Sequence, residues 1–219
     1  MRSRFPSNKT TMARLACCIA LLILSLSARA FGQQTGTPGV FDFYLLTLSW
    51  SPEYCHSNAT SGQCGGAHHF GFVVHGLWPE FQNGGYPEHC SNARGPSNPT
   101  SYLDIMPDLG LIQHEWTTHG TCSGLDADSY FSLIRQAFTS IKIPKQFSMP
   151  ASQQTVSATQ IKTAFEQANP TLKDPDIVIS CTGSYLKAVE ICLTKSLATM
   201  ACPASRSCNA QAIRVPPVM

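Results

Sequence analysis

The sequence predicts an α+β fold: a single disulfide-linked domain in which helices pack on a central, mostly antiparallel sheet. Three observations predict it. Strand-like runs stand near both ends, at 43–50, 70–78, 177–181 and 185–193, and helical patterns fill the middle; strands and helices segregated in this way make α+β domains. No internal repeat or linker divides the chain, and about 190 residues beyond the leader suit one core. The cysteines beyond the leader form an even set of eight, which in an exported chain reads as up to four disulfides.

The leader comes first. Arg2, Arg4, Lys9 and Arg14 precede an apolar run from Leu15 to Leu26, and Ala28-Arg29-Ala30 follows it. Residues 1–30 therefore read as a secretory signal peptide, 31–40 as a flexible polar leader, and 41–219 as the domain. The apolar run falls short of the roughly 20 residues of a membrane span. It also follows Cys17 rather than preceding it, which argues against a lipid anchor. The expected location is secreted or periplasmic, with no membrane contact once the signal is removed. Removal takes five basic residues and no acidic one, which leaves ten Lys+Arg against 13 Asp+Glu, a net −3. A protein that holds nucleic acid by bulk charge is basic, so RNA here would be held locally, by histidines and aromatic surfaces.

Along the domain, Phe43 to Trp50 alternates aromatic and aliphatic residues and reads as a buried strand that ends at Ser51-Pro52. Cys55 to Gly66 reads as a loop that a Cys55–Cys64 bridge can close, and it carries the sequon Asn58-Ala59-Thr60. Phe70 to Trp78 is a second strand, stopped by Pro79. Residues 81–100 form a long loop, of the kind that is often functional. Ser101 to Met106 reads as a short helix. Leu111 to His119 reads as a helix ended by Gly120, and Asp126 to Ser140 as a stronger amphipathic one. Ser157-Ala158-Thr159-Gln160 is a capping box that opens a helix to Ala168.

All seven histidines (His56, His68, His69, His75, His89, His114 and His119) lie between Cys55 and Cys122. Histidine exchanges protons near neutral pH, so the clustering points to proton transfer or metal binding. His56, His68, His69 and His89 read as ordinary surface or core residues. His75 differs: it stands between Val74 and Gly76 in an apolar strand, where burial without a partner is costly. On a helix, His114 and Thr118 are i,i+4 partners, as are Glu115 and His119, so the four share a face while Leu111, Ile112 and Trp116 pack. His114 and His119 are five apart, out of phase for the zinc-binding spacing, so no metal is expected. Two histidines and a carboxylate instead suit metal-free phosphodiester cleavage. One imidazole takes the proton of a 2′-hydroxyl, the other protonates the departing 5′-oxygen, and a third group steadies the phosphoryl charge.

His75-Gly76-Leu77-Trp78-Pro79 and His114-Glu115-Trp116, followed by His119-Gly120-Thr121-Cys122, resemble the two motifs of the ribonuclease T2 family, secreted acid endoribonucleases. The resemblance extends to Phe43–Cys55 and to the C-terminal cysteines. It implies that family's α+β fold, a monomer without cofactors, and cleavage of single-stranded RNA through a 2′,3′-cyclic phosphate. It implies His119 as base, His75 as acid, Glu115 assisting at the phosphoryl group and His114 binding phosphate. The family commonly has lysine where this chain has Thr118, which implies a slower enzyme. The resemblance further implies a Cys90–Cys122 disulfide, nested Cys181–Cys208 and Cys192–Cys202 pairs, and a base pocket of Trp78, Glu80 and Tyr86.

Three rivals make different expectations. A non-catalytic member of the same fold would not need His75, Glu115 and His119. A metal-dependent hydrolase would lose activity with a chelator. A carbohydrate-binding protein using Trp50, Trp78 and Trp116 would be indifferent to His75→Ala.

Overall fold

The structure is a computed structural model that describes residues 36–65, 69–203, 207–208 and 210–218. The expected signal peptide, residues 31–35 and His68 lie outside the described residues. The strands are β1 (Phe43–Trp50), β2 (Phe72–Glu80), β3 (Gln154–Val156), β4 (Ile177–Thr182), β5 (Tyr185–Leu193) and β6 (Ile213–Val215). The α-helices are α1 (Ser51–Ser57), α2 (Leu109–Thr118), α3 (Ala127–Ser140), α4 (Lys145–Ser148) and α5 (Ala158–Ala168).

The six strands form one sheet in the order β2-β1-β5-β6-β3, with β4 on the other side of β5. Every pairing is antiparallel except β5 with β6. β1 lies between β2 and β5, and its near-continuous apolar sequence follows from burial on both faces. Tyr44, Leu46, Leu48 and Trp50 alternate on the face that meets the helices, and none is more than 2% exposed. Opposite them on β2 stand Pro79, Leu77, Val74 and Phe72. Phe72 meets the Trp50 ring at 4.9 Å and Phe165 of α5 at 5.8 Å. Tyr130 of α3 is fully buried and donates its hydroxyl to the Leu77 carbonyl at 2.8 Å, which fixes α3 against β2.

Several expectations need correction. β2 does not stop at Pro79 but runs to Glu80; it ends the strand order, and an edge strand tolerates a residue without an N–H because one side of its ladder is unpaired. Residues 55–57, expected in a loop, complete helix α1, which Pro52 starts and Glu53 supports in its first turn. The helix expected at Ser101–Met106 is a 3₁₀ turn at Pro99–Tyr102. α2 begins two residues early because Asp108 caps it, its side chain accepting from the Leu111 N–H at 3.0 Å. Short β3 and β6 had no periodicity to betray them; each has three residues and exists only through its pairing. The capping box at Ser157 and the helix it opens are present as expected.

Four disulfides hold the loops: Cys55–Cys64, Cys90–Cys122, Cys181–Cys208 and Cys192–Cys202. Residues 36–40 are tied to the domain, since the Gly36 N–H donates to Glu88 O and the Gly39 N–H to Cys122 O.

Candidate active site

The site begins with an irregularity in β2. Thr47 pairs with Gly76, but Leu48 pairs with Val74, so His75 is an extra residue in the ladder. Such a bulge re-aims a side chain out of the regular alternation. His75 Nδ1 lies 3.1 Å from the Ser49 hydroxyl of β1, and its Nε2 lies 3.5 Å from Glu115 Oε1. Ser49 was not anticipated; its only sequence signal is that, with Thr47, it places a small hydroxyl in a largely apolar strand.

α2 brings the second motif to the bulge. Glu115 is fully buried, and its Oε2 accepts the Trp78 indole N–H at 2.6 Å. Burial pushes its carboxyl up to about 8, against the opposing effect of the Trp78 hydrogen bond. Trp78 is a clamp. Its indole holds Glu115, its ring stacks on His119 with centroids 5.1 Å apart, and it meets the His75 ring edge-on at 5.4 Å. Gly76 makes the contact possible: a Cβ there would strike both the Glu115 carboxylate and the Trp78 indole nitrogen.

His119 caps α2 and is 7% exposed. Its Nδ1 is buried without a hydrogen-bond partner. Burial lowers its pKa to about 3, helped by the nearby His114, His75 and His89. Burial likewise lowers His75 to about 4, with Lys187 and His114 adding to the effect. The resting site at neutral pH therefore holds two neutral imidazoles beside a protonated carboxyl, which puts a proton acceptor and a proton store within one cluster.

The remaining candidates fall in two groups. His114 is exposed, its Nδ1 3.4 Å from the Thr118 hydroxyl, and its ring meets His119 at 6.3 Å. Tyr86, 47% exposed, has its ring 5.5 Å from that of His119. Glu80 is separate: it lines a small cavity of about 150 Å³ with Phe43, Leu45, Phe81, Val178 and Glu190. Burial and Glu190 push its carboxyl up to about 7. Trp78 and Tyr86 thus flank the same imidazole, while Glu80 lines a separate cavity. For a metal, one ligand atom each from His114, Glu115 and His119 lies within 4.8 Å of the others, close enough to gather round an ion, although Glu115 already accepts from Trp78.

These ionisations set an expected pH dependence of stability. Glu115 and Glu80 have folded pKa values above the ordinary 4.5, so their contribution is full below 4.5 and is lost as pH rises to about 8 and about 7. His75 and His119 are depressed from 6.5, so their contribution is full above 6.5 and is lost as pH falls to about 4 and about 3. The two effects oppose each other between 4.5 and 6.5, and the carboxyls alone act above that. The melting temperature is expected to fall from pH 6.5 to 8.5, by about 2–4 °C per kcal/mol lost. Glu115→Gln, which keeps the acceptor for Trp78, should remove a large part of the fall; an unchanged fall would place the titrating group elsewhere.

Comparisons with known proteins bear on this cluster. The pattern of the ribonuclease T2 family matches residues 41–202. A ribonuclease of Aeromonas hydrophila is 38% identical over 124 residues, 56% of this chain and 56% of its own length. A probable ribonuclease of Haemophilus influenzae is 32% identical over 78% of this chain and 64% of its own length. The chain thus spans less than two thirds of either relative. Among solved structures, an RNase-related protein from Calystegia sepium superposes with a TM-score of 0.66 at 24% identity, covering 80% of this chain and 97% of that one, a likeness of fold. With the family pattern running from just before β1 to the last disulfide loop, through both histidine motifs, the chain belongs to the ribonuclease T2 family.

Proposed function

We propose that this protein is an exported, monomeric, metal-independent endoribonuclease that cleaves single-stranded RNA through a 2′,3′-cyclic phosphate. The observation that carries the reading is the convergence of His75, Glu115 and His119 about the Trp78 ring. His119 is the base and His75 the acid. A phosphodiester anion in the site raises the pKa of both imidazoles. His75, held down less far, takes up the proton first, leaving His119 neutral to accept the 2′-hydroxyl proton. Glu115, protonated, donates toward the phosphoryl oxygens, and His114 binds phosphate from the exposed side of α2. Trp78 and Tyr86 offer stacking surface for a base beside His119, with Glu80 beyond them. Family membership and the signal-like residues 1–30 support export.

The test uses residues 31–219 with disulfides formed, RNA, and excess EDTA from pH 4.5 to 7.5. Oligonucleotides ending in 2′,3′-cyclic phosphate are the expected product. Cleavage that disappears with EDTA and returns with metal would overturn the mechanism. Thr118 adds a second expectation. It is 7% exposed, and its hydroxyl, 3.4 Å from His114 Nδ1, can hydrogen-bond without neutralising charge. Thr118→Lys should raise kcat, by up to about tenfold for one charge-assisted contact; no rise would show that charge at this position does not limit the reaction.

A further inference from the structure

The segment from His89 to Gly95 has none of the regular structure that would hold it, yet it is strapped to α2. The His89 N–H donates to Thr118 O at 2.9 Å, the Cys90 N–H to Thr121 Oγ1 at 3.1 Å, and Trp116 Nε1 to Ala93 O at 2.7 Å. The Cys90–Cys122 disulfide closes the strap. His89 holds φ of 52°, a left-handed conformation that few non-glycine residues adopt and that is concentrated at functional positions.

Between the strap and the outward face of α2 lies a cleft of about 430 Å³, lined by His89, Ser91, Asn92, Arg94, Gln113 and Thr117 with Ala93 and Gly95. Its chemistry is one-sided. No carboxylate lines it, although acidic residues outnumber basic ones beyond residue 30. Arg94 is also unlike the other arginines among the described residues. Arg135 is gripped by both oxygens of Asp104, and Arg214 is bonded to the Tyr185 hydroxyl. Arg94 is exposed and, among the described residues, has no hydrogen-bond or ion-pair partner. The cleft adjoins the candidate site: Gln113 and Thr117 directly precede His114 and Thr118 on α2, and His89 lies near enough to His119 to depress its ionisation.

We propose that this cleft binds a backbone phosphate of RNA neighbouring the scissile one, with Arg94 as its cation and His89, Ser91, Asn92 and Gln113 as hydrogen-bond donors. The inference rests on the ribonuclease reading. A flexible guanidinium with no internal partner, on a loop held rigid by a disulfide, is suited to bidentate phosphate contact. It also accounts for how a chain with net negative charge beyond its leader holds a polyanion: the charge is local, in a cleft that no carboxylate lines.

The test compares kcat/KM for a dinucleotide, which has a single phosphate, with kcat/KM for a tetranucleotide, at several salt concentrations, using the disulfide-bonded chain. The wild type should favour the tetranucleotide. In Arg94→Ala, and separately in Gln113→Glu, the tetranucleotide-to-dinucleotide ratio should fall about 5–10-fold, roughly one phosphate contact. The slope of log kcat/KM for the tetranucleotide against log salt should also become shallower by about one in Arg94→Ala. A ratio unchanged in both variants, with a wild type that cleaves both substrates, would overturn the subsite and leave the ribonuclease reading standing. A wild type that cleaves neither substrate would overturn both.

Discussion

His119→Ala is expected to lower kcat by about 10²–10⁴-fold, the usual contribution of a positioned general base. The structure says why the loss should be chemical. The His119 ring is 7% exposed and makes its main contact by stacking on Trp78, which Glu115 holds independently from its other edge. Its Nδ1 makes no hydrogen bond, so its removal orphans no partner. The variant should therefore fold, with a stability loss in the range of a partly collapsed core truncation and an unchanged α2. The pH profile supplies the sharper reading. With two imidazoles required in opposite protonation states, the rate passes through a maximum. Losing the base should abolish the limb that rises from acid pH, while His75→Ala should abolish the limb that falls toward alkaline pH. A His119→Ala enzyme within tenfold of wild type, with both limbs intact, would show that another group takes the proton.

Gly76→Ala is expected to be nearly as damaging, although it changes one methyl group and no chemical group of the site. A Cβ at this position falls on the Glu115 carboxylate and the Trp78 indole nitrogen, the two partners of the shortest hydrogen bond in the cluster. Neither can retreat: Glu115 is fully buried on α2, and Trp78 is backed by His119 and His75. Overpacking of this kind typically costs about 1–3 kcal/mol of stability. The catalytic cost is larger, because a displacement of about 1 Å in a positioning contact can lower the rate about 10²-fold. Gly65→Ala is the control, since a Cβ there meets nothing nearer than the Ser61 carbonyl at 4.0 Å. Thermal unfolding and kcat measured on both variants check the argument. A Gly76→Ala enzyme with wild-type rate would mean that the Trp78–Glu115 contact is not needed for turnover.

What could be read in the chain was local. The span of β1 and of β5, the capping box at Ser157, the amphipathic helix that ends at Ser140 and the shared face of Glu115 and His119 all follow from neighbours in sequence, through period-two and period-3.6 patterns and short-range hydrogen bonds. Where reading failed, a partner distant in sequence decided. Pro79 stays in β2 because that strand lies at the sheet edge. β3 and β6 exist only through pairing, β3 with β6 and β6 also with β5.

The site divides in the same way. The sequence by itself singled out the groups expected to carry chemistry: His75, His114, Glu115 and His119, in motifs similar to one family, behind a signal-like leader. Only the tertiary structure decided how they meet. The bulge that lifts His75 out of register, the Ser49 hydroxyl behind it, the Trp78 clamp and the strap that carries Arg94 across α2 join residues roughly 20 to 40 positions apart in the chain. Eight cysteines allow 105 pairings by counting alone; the folded backbone brings together four pairs. The physical reason is common to all of these. Propensity, capping and periodicity act over a few residues, whereas burial, register and pKa shifts depend on which surfaces the whole chain brings into contact.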